Sequence, residues 1–222
     1  MLGIGELAGP SDASPVRDTF DGPTDIPSTI RITGTVEQVD LIMGTRNPLP
    51  NAQVSLVGQP PGEGVVSDTQ GKFELVIVTN GMPVDGALRG ASPNERTTLQ
   101  YFSRPAVEDF DATLQIYTEA PLAMLAQACQ MTFQPITPVV FVLAIDNQGT
   151  PVEGATLTSM PSSTFCSQGA DGTVANANRS GAGGVAFGFQ LPPGPVTLSS
   201  GGPSRTITSE PQATIVVPLT TP

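Results

Sequence analysis

The chain is short of the side chains that usually do chemistry. Its 222 residues include no histidine, one lysine (Lys72), two tyrosines (Tyr101 and Tyr117) and two cysteines (Cys129 and Cys166). A serine nucleophile needs a base beside it, and Lys72 stands next to a turn with no serine placed to form a dyad. Two well-separated cysteines without an imidazole cannot build a usual zinc site, which leaves a disulfide or two inert buried thiols. The disulfide between Cys129 and Cys166 is the favoured reading. Closing that loop would stabilise the fold by about 3–4 kcal/mol in the chain-entropy treatment, and it would place the protein outside the reducing cytosol.

Four further patterns could be sites. Gly181-Ala182-Gly183-Gly184 resembles a phosphate-cradling loop in composition, but the lysine-serine sequel and the following helix are missing, so a hairpin turn is expected. Glu108-Asp109-Phe110-Asp111 offers oxygens to calcium without EF-hand spacing, and it reads as a solvated acidic loop. Asn178-Arg179-Ser180 is a glycosylation triplet, a weak pattern that presupposes a eukaryotic secretory route. Tyr101 and Phe102 are adjacent, so in a strand one ring must point outward. These two are the tentative ligand contacts, although burial of the outward ring at the helix or at a domain interface is the favoured reading. No catalytic, cofactor-binding or metal-binding residue is expected.

Composition narrows the function classes further. The net charge of −11 is spread along the chain, with no basic cluster, so a nucleic-acid backbone would be repelled. No apolar run reaches the roughly 18 residues that cross a bilayer as a helix. The opening Met1-Leu2-Gly3-Ile4-Gly5-Glu6 lacks the basic start and apolar stretch of a signal peptide, and the expectation is an export signal removed upstream, with a lipid anchor as one form of tether. With 24 glycines, 23 prolines and 13% charged residues, the chain fits many short strands joined by tight turns.

The elements follow from local pattern. Ile30 to Val36 alternates as a first strand, and Phe73, Leu75 and Ile77 share one face of another. Asp68-Thr69-Gln70-Gly71 is a tight turn, with the aspartate bonding the backbone ahead and the glycine supplying positive φ. Residues 91–97 read as an exposed loop, followed by strands over residues 98–103 and 112–117. Thr118 can cap a helix in which Glu119 favours the dipole, Pro121 is tolerated early, and Leu122 to Ala128 has high propensity. Leu122, Leu125 and Cys129 would lie on one side of it. Beyond it, Val139 to Ile145 is a nearly continuous apolar strand, and Thr206-Ile207-Thr208 and Ala213 to Leu219 complete a second sheet.

One stretch occurs twice. Asn47-Pro48-Leu49-Pro50-Asn51-Ala52-Gln53-Val54 and Thr150-Pro151-Val152-Glu153-Gly154-Ala155-Thr156-Leu157 each run from a proline through two turn-formers to an alanine and an alternating strand. Gly184 aligns with Gly71, although Gly181 stands where Asp68 would. The segment Pro161 to Ala177, with Cys166 and an Asp171-Gly172 turn, is longer than its counterpart. The first stretch with Asp68-Thr69-Gln70-Gly71-Lys72-Phe73, and the second with Leu191-Pro192-Pro193-Gly194, resemble the carboxypeptidase regulatory-like domain, a transthyretin-like sandwich. Enzymes of similar fold use histidines that this chain lacks, so the resemblance implies a structural or adhesive role.

The expected architecture is all-β: two tandem transthyretin-like or immunoglobulin-like antiparallel sandwiches joined by a short α-helix. Residues 1–28 form a flexible acidic leader, 29–117 the first sandwich, 118–134 the linking helix and 135–222 the second sandwich. The expected role is a non-catalytic, extracytoplasmic structural or adhesive module of a bacterial cell envelope, monomeric, meeting a protein or glycan at the cell surface. A glycan- or peptide-binding accessory protein using end loops, near residues 91–97 and 161–177, is the alternative. An enzyme of transthyretin-like fold is the remotest reading.

Overall fold

A computed structural model describes residues 25–40, 44–59, 63–170 and 174–222. The expected leader up to residue 24 and the Asp171-Gly172 turn lie outside these residues. In the first half the strands are β1 (Thr29–Asp40), β2 (Thr45–Pro48), β3 (Gln53–Leu56), β4 (Val65–Val66), β5 (Lys72–Val78), β6 (Ala87–Ala91), β7 (Thr97–Tyr101) and β8 (Phe110–Tyr117). Helix α1 (Glu119–Ala128) follows. The second half has β9 (Val139–Ile145), β10 (Thr158–Met160), β11 (Phe165–Gln168), β12 (Val174–Asn176), β13 (Val185–Phe189), β14 (Gly194–Ser199), β15 (Arg205–Ser209) and β16 (Ala213–Thr220).

One order of strand pairing occurs in both halves. In the first, β1 lies between β5, antiparallel, and β8, parallel, while β6 pairs with β3 and β7. In the second, β9 lies between β13, antiparallel, and β16, parallel, while β14 pairs with β10 and β15. The first and last long strands of each half are therefore neighbours running in the same direction. The halves are also joined directly. β7 pairs parallel with β16 from Thr97↔Ala213 to Gln100↔Val216, which fuses strands of both halves into one nine-stranded sheet.

Burial explains the sequence patterns. Phe73, Leu75 and Ile77 of β5 are buried and the alternate residues exposed, as period two requires of a strand with one face on a core. Full burial of such a side chain is worth about 1.5–3 kcal/mol. β9 alternates much less because both of its faces are covered. Val140 and Val142 join Ile215, Val217, Leu198 and Ile207 in the core of the second half. Val139 and Phe141 face the other way, into a cluster with Val39, Tyr117, Leu122, Ala126, Cys129 and Cys166. A strand buried on both sides reads as a continuous apolar run.

The duplicated stretch has the same atomic role twice. The Ser67 hydroxyl accepts from Ala52 N–H at 2.9 Å and donates to the Leu49 carbonyl at 2.8 Å. The Ser180 hydroxyl accepts from Ala155 N–H at 2.9 Å and donates to the Val152 carbonyl at 2.6 Å. Gly71 and Gly184 both have φ of +74°, and a Cβ on either would stand 2.6 or 2.5 Å from a carbonyl oxygen, of Val36 or Ala144 respectively. Only glycine meets both the positive φ and the close approach. The Asx turn, however, has moved. Asp68 Oδ1 accepts from the N–H groups of Gln70 and Lys72, whereas in the second half Asp146 Oδ1 accepts from those of Gln148 and Thr150, at the end of β9.

Helix α1 begins where the sequence places it, yet Thr118 makes no side-chain cap. Pro121, Leu122 and Ala126 form its buried face, so Ala126 takes the central place expected of Leu125, which is partly buried. Two loop expectations are corrected. Residues 92–96 are a short hairpin connection whose Arg96 is buried, because the guanidinium finds carbonyl acceptors in the other half. The long segment 161–177 contains β11 and β12, paired with each other and, through β11, with β13, so much of it is sheet edge rather than free loop.

Candidate binding cleft at the junction of the two halves

The junction is built around arginines. Arg96, 3% exposed, donates to the carbonyls of Pro135 and Thr137 at 2.6 Å and of Ala213 at 3.1 Å, lies 5.6 Å over the Phe133 ring, and stands 3.7 Å from Glu119. Burial pushes its guanidinium pKa down and the Glu119 carboxylate pushes it back up. An arginine remains charged under such pressure, so it is three carbonyl dipoles and one carboxylate that stabilise the cation. Arg89 of β6 donates to both carboxylate oxygens of Glu210. Arg205 of β15 reaches back to Asp85 and to the Phe102 carbonyl, with its guanidinium 5.1 Å over the Tyr101 ring.

Both sequence-predicted contact residues lie here. Tyr101 and Phe102 help line a cleft of about 500 Å3 whose opposite wall includes Leu143, Ile145, Val216 and Pro218 of the second half. Gln100, Ser103, Arg104 and Glu108 add polar groups to its first-half side. Neither ring is loose. The Tyr101 hydroxyl accepts the Thr208 N–H at 2.9 Å, and Phe102, 8% exposed, meets Phe110 edge-on with centroids 5.3 Å apart. The cleft thus combines apolar lining groups from both halves with polar ones from the first.

Tyr117 occupies a second part of the junction. It is edge-on to Phe141, which is edge-on to Phe187, with centroid distances of 4.6 and 5.1 Å. Its hydroxyl donates to Gln115 Oε1 at 2.7 Å. Burial pushes the phenol pKa well up, against a smaller opposing effect of the Arg46 charge, so it stays protonated. The disulfide expected from the sequence is present: Cys129, just beyond α1, is bonded to Cys166 of β11, with Cα atoms 5.8 Å apart and both residues buried.

The remaining candidate groups are engaged within the fold. Asp109 Oδ1 accepts the Arg31 N–H at 2.7 Å and Asp111 accepts from the Thr33 hydroxyl. Gly181–Gly184 closes a turn against Pro151 and Val152, with Gly184 N–H donating to the Gly181 carbonyl at 3.0 Å. In the glycosylation triplet, Asn178 Oδ1 accepts the Phe165 N–H at 2.7 Å and the Ser180 hydroxyl is buried in the turn described above. Sequence reasoning missed Arg96. Its only signal was an arginine just before the alternating run Thr97–Tyr101, within a stretch that looks like an ordinary polar turn.

No protein-family profile and no curated protein matches the sequence. Among solved structures, the shaft pilin SpaA of Lactobacillus rhamnosus GG is similar over 87% of this chain and 98% of its own, at 10% identity and a TM-score of 0.29. A minor pilin of Streptococcus agalactiae is similar over 86% of this chain and 94% of its own, at 13% identity and a TM-score of 0.30. The Bacillus anthracis TIE protein is similar over 86% of this chain, at 12% identity and a TM-score of 0.26. This chain spans about a third of the TIE chain, since 33% of that chain is covered. At these scores the likenesses support no conclusion about this protein.

Proposed function

We propose that the chain is a non-catalytic, extracytoplasmic structural or adhesive module made of two tandem carboxypeptidase regulatory-like sandwiches, residues 29–117 and 135–222, with residues 118–134 between them. The observation that supports it most is the junction. A shared sheet and the contacts of Arg89, Arg96 and Arg205 fix one half on the other, the buried disulfide ties the connecting segment to the second half, and such rigidity suits a spacer that holds attached parts at a set separation. The buried Cys129–Cys166 bond supports a compartment where disulfides persist.

Labelling intact producing cells with a membrane-impermeant amine or carboxylate reagent tests the location. The expected result is labelled protein that shows no free thiol after denaturation without reductant. Unlabelled protein with two titratable thiols would overturn the proposal.

A second reading is favoured by one observation, the cleft that Tyr101 and Phe102 line. In it the module is an accessory that binds a glycan or an extended peptide at the junction, rather than at the end loops. Thermal-shift screening against glycans and envelope peptides distinguishes the two. A stabilising ligand whose effect is lost in Glu108→Gln or Arg104→Ala would establish the accessory role, and no shift across the panel favours the spacer.

A further inference from the structure

The pairing of first and last strands has a mechanical consequence. A pull along the chain enters the first half at Thr29, the start of β1, and leaves at Tyr117, the end of β8. These strands run parallel, in register from Ile32↔Phe110 to Val39↔Tyr117. Opposed forces at opposite ends of parallel neighbours slide one along the other. All eight register pairs then resist together, whereas a hairpin pulled at its open end loses its bonds one after another. The second half repeats the arrangement in β9 and β16, from Thr214↔Val139 to Thr220↔Ile145.

The disulfide changes the path in the second half. Beyond Tyr117 the tension crosses α1 to Cys129, where it meets two routes: 37 residues of chain that contain the whole of β9, or the disulfide, with Cα atoms 5.8 Å apart. The short route becomes taut first, so the backbone of β9 carries no covalent tension and the force enters at Cys166 on β11. From there it must reach β16 across β13 and β9. Two antiparallel steps make β11 run in the same direction as β9, and therefore as β16. The pull is again shear, now distributed over three ladders. The clasp of Arg96 on Pro135, Thr137 and Ala213 lies within the same region and ties the bypassed segment to the first half.

From this geometry we infer that the chain is a tensile element: parallel first-and-last strand ladders resist extension in shear, and the Cys129–Cys166 bond relieves the backbone of Val139–Ile145 of tension, leaving that strand to pass the load through its ladders. This rests on the structural-module reading above and adds the direction in which the module is strong.

Single-molecule pulling on the full oxidised chain tests it, with bio-orthogonal handles at exposed or half-exposed positions. Handles at Thr29 and Thr118 load β1 and β8 in shear. Handles at Thr29 and Val78, which face each other across the antiparallel β1/β5 ladder, open it bond by bond. The first geometry is expected to need a several-fold larger unfolding force, and a force equal to or below that of the second would overturn the inference. With handles at Thr29 and Pro222, reductant is expected to lengthen the fully unfolded chain by the 37 residues withheld, roughly 125 Å at about 3.4 Å per residue. An unchanged length would overturn the bypass. A weak response in shear rejects the tensile role while leaving labelling and thiol titration to decide the module's location, so the two failures are separable.

Discussion

The two halves share a frame and differ in what covers it. In the first, the core of Ile30, Ile32, Phe73, Leu75, Ile77, Leu88, Leu114 and Ile116 is supplied entirely by its own strands. In the second, Leu99 of the first half enters the core, and the outer face of β9 is sealed by α1, Tyr117 and the disulfide. The glycine of the duplicated turn recurs because positive φ and a nearby carbonyl leave no room for a Cβ, and the serine recurs because its hydroxyl bonds the same two backbone groups in each half. The Asx turn has shifted from Asp68 to Asp146 because any short acceptor with the right spacing can close a loop. Conserved geometry therefore marks the frame, and the second half is the dependent partner.

The largest effect that would sharpen this contrast is removal of the disulfide. Cys129→Ala with Cys166→Ala is expected to lower stability by about 4 kcal/mol in the chain-entropy treatment. Hydrogen exchange should rise first in β9, β11 and β13, and an increase confined to β1 and β5 would contradict the dependence. Next comes Arg96→Met, which removes the side-chain donor of three carbonyls and should cost about 3 kcal/mol in urea unfolding. A loss below about 0.5 kcal/mol would show that the clasp does not hold the halves together.

Gly71→Ala and Gly184→Ala break the comparison from the other side. Each is expected to cost about 2 kcal/mol, through positive φ and a Cβ driven onto a carbonyl. Near-equal losses are the expected outcome, and a large inequality would mean the two turns are not equivalent.

The smallest effect is a pH dependence at Asp146. Backbone N–H donors, above all that of Thr150, hold its carboxyl below the ordinary value of 3.8. Its contribution is therefore complete above that ordinary value and lost as the pH falls through the lower folded value. Asp146→Asn should be less stable than the natural protein near neutrality, and the difference should shrink in acid. A difference in Tm that does not change with pH would exclude the charge as the cause.

Much of the frame was legible in the sequence because its signals are local. Alternation gave β5, two-sided burial gave the unbroken run of β9, and the proline-to-alanine stretch announced its own repetition. The pairing of Cys129 with Cys166 followed from there being two cysteines and no histidine. The junction was not legible, for physical reasons. Pairing of β7 with β16 joins residues more than 100 positions apart, from Thr97↔Ala213 onward, and leaves no periodic mark. Arg96 and Arg205 look like surface cations until the carbonyls and rings that receive them are in place. Tyr101 and Phe102 could be assigned to an interface or to a ligand, and the structure puts them in the lining of a cleft between the halves.

The β7/β16 ladder and the arginine contacts should make these halves, built alike, unfold as one unit. Differential scanning calorimetry of the oxidised chain tests it most directly. A single transition whose calorimetric and van't Hoff enthalpies agree is expected. Two resolved transitions, the upper surviving Arg96→Met unchanged, would contradict it.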